Sequence, residues 1–109
     1  MEIYFLDGEL ARSCNDDAIR MNRFGTVVAP VLRRRLAEIA AAAHLAELRC
    51  LPQARLRGYA DGRLLVALGP TAELHLRPHD DPPPMAEGHL VEWAVRSLLV
   101  TDVQFAAAA

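Results

Sequence analysis

The sequence predicts an α+β domain: an N-terminal strand, a helical hairpin, then a mostly antiparallel sheet of about four strands. Three observations predict it. Val28, Leu32, Leu36, Ile39 and Ala43 recur at three- and four-residue steps, the period of a helix with one buried face. From Arg55 onward the period drops to two, most cleanly in Glu73-Leu74-His75-Leu76-Arg77. Turn signals at Asp61-Gly62 and Gly69-Pro70 divide these later runs, and strands segregated after helices define the α+β class.

The elements follow in chain order. Glu2–Leu6 is short and β-prone and ends at Asp7-Gly8, so it reads as the first strand. Leu10-Ala11 and Ile19–Phe24 read as two short helical pieces separated by residues 13–17, with Asn15 or Asp16 as an N-cap. Thr26 opens the main helix, expected from about 26 to 43 with Pro30 in or near its first turn. Glu38 follows Arg34 by four residues, which predicts an ion pair between them. His44–Arg49 reads as a further helical turn closed by Pro52, with His44 complementing a helix dipole. Arg55–Tyr59 and Leu64–Leu68 form a hairpin around Asp61-Gly62, and 73–77 adds a strand. Residues 79–88, with prolines at 82–84, read as a loop, and Val91–Asp102 returns to β-prone residues. There is no internal repeat. One domain is expected over residues 1–105, with 106–109 a loose alanine tail.

Composition bounds the function. The chain has 109 residues and a net charge of -2, from 12 basic and 14 acidic side chains, and every basic residue is Arg. Charge is unevenly spread: -4 over residues 1–17, +6 over 18–63 and -4 over 64–109. A near-neutral total argues against a dedicated nucleic-acid binder, while the basic middle points to an anionic partner. No apolar run approaches the roughly 20 residues of a spanning helix. The N-terminus has no basic region before its short apolar stretch, so no signal peptide is expected. Two cysteines are too few for a disulfide scaffold, and a cytoplasmic location follows.

Few constellations point to chemistry. His75, His79, Asp80 and Asp81 are the densest group of potential ligands, but a solvated strand end accounts for them, and no metal or cofactor is expected. Cys14 precedes Asn15-Asp16-Asp17, an acidic setting that raises a thiol pKa and makes a poor nucleophile. The glycines are isolated, with no phosphate-cradling loop. Arg20, Arg23, Arg33, Arg34, Arg35, Arg49, Arg55 and Arg57 form a basic set for RNA or a partner protein, although Arg33–Arg35 fan over about 200° of a helix and do not all face one ligand.

Taken in order, the residues resemble a known family. They are Phe5, Leu10, Cys14-Asn15-Asp16-Asp17, Phe24-Gly25, Leu32–Ala37, Ala41-Ala42, Leu45–Leu48, Leu51-Pro52 and Arg55. The match continues through the hairpin to Leu68, Leu74–Pro78, Asp81-Pro82-Pro83, Gly88, Trp93, Val95-Arg96 and Asp102. The chain resembles, over nearly residues 3–104, the plasmid-maintenance killer proteins, the HigB-like branch of the RelE/ParE toxin superfamily. The resemblance implies the toxin of a type II toxin–antitoxin pair, held by a cognate antitoxin. Such toxins cleave mRNA on the ribosome without a metal: a 2′-hydroxyl attacks the adjacent phosphate while side chains supply a base, an acid and charge stabilisation. Another branch inhibits DNA gyrase.

The chain departs from the family where that chemistry lies. Arg57 stands where the family often has His, Glu73 where it has Arg, and Val103-Gln104 follow Asp102 in place of Tyr-His. Arg cannot act as a general base at ordinary pH, and Glu73 repels RNA. The expectation is therefore a toxin homologue with weakened or lost catalysis that still binds an antitoxin. The alternatives are an active mRNA interferase with a relocated site of Arg55, Arg57, Arg63 and Asp102, a gyrase-type inhibitor, or an unrelated small α+β domain.

Overall fold

A computed structural model describes residues 1–106 of the chain. Of the tail expected at 106–109, Ala106 is tied down, its N–H donating to the Thr71 carbonyl at 2.7 Å; the rest lies outside the described residues. The elements are β1 (Glu2–Phe5), α1 (Gly8–Asn15), α2 (Asp17–Ala41), α3 (Leu45–Arg49), β2 (Arg57–Gly58), β3 (Leu64–Ala67), β4 (Ala72–Pro78), β5 (Met85–Ala86), β6 (His89–Leu90) and β7 (Ser97–Phe105). Short 3₁₀ turns at Pro52–Ala54 and Glu92–Ala94 link them.

Local chemistry sets the helix boundaries. The Asp7 side chain accepts from the Leu10 N–H at 2.8 Å and so caps α1. Asp16 does the same for α2 through the Ile19 N–H at 2.9 Å. The separator expected over 13–17 thus shrinks to Asp16, because Ser13–Asn15 continue α1. Gly25 breaks α2 internally with φ 84° and ψ 173°, a conformation open to glycine and costly to other residues. The second half of α2 therefore starts where a helix from about 26 was expected, with Pro30 in its early turns. It ends at Ala41; Ala42 is the buried C-cap, and Ala43, expected on the buried stripe, is exposed.

The main sheet has the order β1-β7-β4-β3-β2. All its pairings are antiparallel except β1 with β7, which run parallel from Glu2↔Ser97 to Phe5↔Val100. The chain thus crosses from β1 over the helical hairpin, three strands of this sheet and the small β5–β6 pair before its last strand fills the gap beside β1. Leu64, Val66, Leu74, Leu76, Leu98 and Val100 point inward to meet Phe24, Val28, Leu32, Leu36 and Ile39 in one buried cluster. Each fully buried leucine here contributes roughly 1.5–3 kcal/mol. Two expectations are corrected. Residues 79–88 are not all loop, since β5 and β6 form a small second hairpin. Val91–Val95 is not strand, since the chain turns through Glu92–Ala94 and leaves Trp93 65% exposed.

One irregularity governs what β7 shows on each face. Leu76 pairs with Val100 and His75 with Asp102, so Thr101 is an extra residue and its hydroxyl donates to the His75 carbonyl at 3.2 Å. Simple alternation from buried Val100 would turn Asp102 inward. The bulge shifts the phase, so Asp102 and Gln104 become exposed opposite His75 and Glu73, while Val103 packs against the core. No helix of the described residues is long and apolar enough to cross a membrane.

Candidate functional site

The sheet face turned away from the helices carries Glu73, His75 and Arg77 on β4, Arg57 on β2, and Asp102 and Gln104 on β7. Strand parity puts the first three there, because Leu74 and Leu76 between them are buried in the core. Register then sets Arg57 across from Leu65, Leu65 across from His75, and His75 across from Asp102. His75 was read only as a solvated strand residue; its central place depends on pairings that the one-strand pattern does not carry.

At the β2 edge of this face lies an open cleft of about 360 Å³, bordered by Arg55, Arg57 and Glu73 with Ala67, Gly69, Pro70, Ala72 and Ala106. Arg55 leaves the 3₁₀ turn at φ 46°, a left-handed conformation uncommon for a side-chain-bearing residue, with its N–H on the Pro52 carbonyl. Arg57 is ion-paired with Glu73. The structure therefore brings Arg55 and Arg57 together, but gives Arg57 an internal carboxylate partner.

The other two expected catalytic groups stand elsewhere. Arg63 sits on the β2–β3 hairpin, 2.7 Å from Asp61 and 5.1 Å from the Tyr59 ring centre. The Arg63 N–H and guanidinium hold the Asp61 carboxyl below its ordinary pKa, and Asp61 caps the turn. Asp102 accepts from its neighbours, the Val103 N–H at 2.8 Å and the Gln104 amide at 3.0 Å. It also borders a hollow of about 130 Å³ with Arg23, Leu10 and Phe24. Arg55, Arg57, Arg63 and Asp102 thus do not converge on one phosphate.

The basic set on the helices divides as well. Arg33 and Arg34 are exposed, as expected of a partner-facing surface. Arg20 and Arg35 are not surface groups. Arg20 is 5% exposed, donates to the Cys14 carbonyl at 3.0 Å and pairs with Asp17. Arg35 is 6% exposed and bridges three places: the Ala67 carbonyl at 3.1 Å, the Gln53 carbonyl at 3.0 Å and Glu38 at 2.9 Å. Glu38 thus pairs with Arg35 instead of the expected Arg34, because Arg35 faces inward and needs the counter-charge. Arg23 donates to the Ser13 hydroxyl at 2.7 Å and lies 3.6 Å from Glu9. Arg49 is clasped by Glu92 through three contacts of 2.7–3.0 Å.

Two smaller expectations change their cause. Cys14 has its pKa pushed up to about 11, but by burial; Arg20 and Arg23 pull it down, and the acidic neighbours are not the reason. His44 does not close a helix. It is the N-cap of α3, makes no side-chain cap bond, and has its Nε2 4.0 Å from Glu47. Among the described residues no group of three or more His, Cys, Asp or Glu is placed to hold a metal ion.

Comparison with known proteins finds no matching family model, no matching curated protein and no matching solved structure.

Proposed function

We propose that this chain is a cytoplasmic homologue of the HigB-like toxins that binds a cognate antitoxin and has weak or no nuclease activity. The single observation that carries the reading is the state of Arg57. It stands in the cleft where the resemblance puts catalysis, and it is neutralised by Glu73 from the neighbouring region of the sheet. Cleavage by an internal 2′-hydroxyl needs a base to take its proton, an acid for the leaving oxygen and cations around the crowded phosphate. In this cleft the titratable groups are two guanidiniums and one carboxylate, and that carboxylate is engaged as a counter-ion. The cleft offers no acid–base pair, while the strand, helical hairpin and sheet agree with the architecture that the resemblance implies.

The experiment has two arms. The chain is expressed in bacteria alone, with growth and transcript integrity followed, and expressed with the product of each small reading frame found adjacent to its own gene, followed by purification through a tag on one partner. The expected result is unimpaired growth, intact transcripts and a stable complex. Growth arrest with cleaved transcripts would refute the loss of catalysis, and a folded chain that never co-purifies with the neighbouring product would refute the antitoxin role.

A further inference from the structure

A second cleft, of about 450 Å³, is bordered by Gly58, Tyr59 and Leu64 of the β2–β3 hairpin and by Met85, His89 and Leu90 of the β5–β6 hairpin. We propose that it takes an extended, uncharged segment of a partner protein as an added strand, paired to β2 through Gly58 and to β6 through Leu90.

Main-chain geometry carries the inference. In an antiparallel pair, opposite residues that bond to each other alternate with opposite residues whose N–H and C=O point away from the pair. The Tyr59 N–H donates to the Arg63 carbonyl at 2.9 Å, so the next pair along, Gly58 and Leu64, turns its polar groups outward. For Leu64 outward means β4; for Gly58 it means the open edge of the main sheet. The small sheet repeats the pattern. The Val91 N–H donates to the Pro84 carbonyl at 2.9 Å, so the neighbouring pair, Met85 and Leu90, turns outward. Among the described residues, the N–H and C=O of Gly58 and of Leu90 have no hydrogen-bond partner. Two unpaired edges therefore border one cleft, and an unpaired edge is a template for another strand. Successive residues of a strand direct their main-chain groups to alternate sides, so one residue of the segment serves Gly58 and the next serves Leu90.

The borders define the occupant further. The cleft's one guanidinium and one carboxylate, Arg49 and Glu92, cancel each other. Arg49 spends Nε and Nη2 on both Glu92 oxygens at 2.7–3.0 Å, and Nη1 on the Leu56 carbonyl at 3.4 Å. That clasp leaves no free charge to draw an ionic ligand, while Tyr59, Leu64, Met85 and Leu90 supply apolar surface. The complement is a segment with uncharged, apolar side chains. In this chain the longest uncharged strand stretches, Leu64–Ala67 and Ser97–Thr101, belong to strands that already lie between two partners. The segment therefore comes from a different protein, and the site does not draw on the toxin resemblance.

The test uses the purified, isotope-labelled full chain and a pool of blocked pentapeptides made only of valine and threonine. Titration should shift the Gly58 and Leu90 amide signals together and slow hydrogen exchange at both. N-methylation at the centre of the peptides, which removes main-chain donors, should weaken binding about tenfold, as the loss of a hydrogen bond does. Met85→Glu should weaken it about as much, because it sets a charge against the apolar segment. Met85 is 45% exposed, so the fold tolerates the change. Val27→Glu, on the exposed face of α2, should leave binding unchanged. No shift at Gly58 and Leu90 with millimolar peptide, or full affinity in Met85→Glu, would overturn the proposal. So would shifts at Ile3 and Phe5 on the opposite sheet edge in place of Gly58 and Leu90, the mark of indiscriminate strand pairing. Shifts at Gly58 and Leu90 on concentrating the chain alone would overturn it too, by giving the cleft to a second copy. Failure of the antitoxin to co-purify leaves these outcomes untouched, so the two readings fail separately.

Discussion

Arg20 and Arg35 in the helical layer are almost fully enclosed, and both donate to backbone carbonyls. Arg55 and Arg57, at the outer edge of the sheet, are exposed, and their one carboxylate contact is open to water. The same side chain thus does two jobs. Inside, it closes gaps in the hydrogen bonding that the strands and turns leave behind; outside, it is available to a ligand. Arg35 shows the first job most fully: it joins α2 to the end of β3 and to the 3₁₀ turn at Pro52–Ala54. Counting arginines in the basic middle of the chain therefore overstates the positive surface, because two of the nine lie within the fold.

The largest expected effect tests the inner half of this contrast. Arg35→Ala leaves Glu38, which is only 18% exposed at its side chain, with the Gln53 amide at 2.8 Å but no counter-charge, and takes the donor from two carbonyls. Breaking such a pair costs about 3 kcal/mol. Thermal unfolding should report a drop on the order of 15 °C for a domain of this size. A drop of only a few degrees would place Arg35 with the outer arginines and dissolve the distinction.

Arg20→Ala comes next, at about 2 kcal/mol in denaturant titration. It removes the donor to the Cys14 carbonyl and the packing of the buried stem, whereas Asp17, 76% exposed, loses little. A change under half a kcal/mol would show that water replaces Arg20 at no cost.

Cys14 extends the comparison to pH. Its folded pKa is raised from 9.0 to about 11 by burial, so the neutral thiol is favoured in the folded chain. The sign follows: its contribution to stability is whole below pH 9 and is lost as pH climbs from 9 to 11. Cys14→Ala should flatten that part of the stability–pH curve relative to the parent. Superimposable curves above pH 9 would contradict the assignment. At pH 8, a thiol reagent should label exposed Cys50 and spare Cys14 in the folded chain.

What the sequence disclosed and withheld divides along the same physical line. Val28, Leu32, Leu36 and Ile39 are buried as their spacing implies, and Leu74 and Leu76 share the inner face as their alternation implies. Asp16 caps a helix, and Asp61-Gly62 turns a hairpin. These features are local, so adjacent residues encode them. The parallel seat of β7 beside β1 was not legible, because residues 2–5 say nothing of residues 97–100. The bulge at Thr101, which exposes Asp102, is likewise a property of a strand pair. Glu38 chose Arg35 over Arg34 because of what surrounds each, and helix spacing permits both. In the candidate site, the type of residue at 57 and 73 could be read from the chain, but their ion pair could not.

The smallest expected effect is at that pair, and it tests the outer half of the contrast most directly. Arg57→Ala removes an exposed guanidinium from a two-residue strand at the sheet's edge. It leaves Glu73 in contact with water, so stability should change by less than about 0.5 kcal/mol. Glu73→Ala should cost as little, and the double variant should show a coupling below about 1 kcal/mol in denaturant titrations of all four proteins. A coupling of 2 kcal/mol or more would mean that the pair fastens the edge strand, as Arg35 and Glu38 fasten α2. Glu73 would then be part of the fold's framework, and the outer arginines would share the structural job of the inner ones.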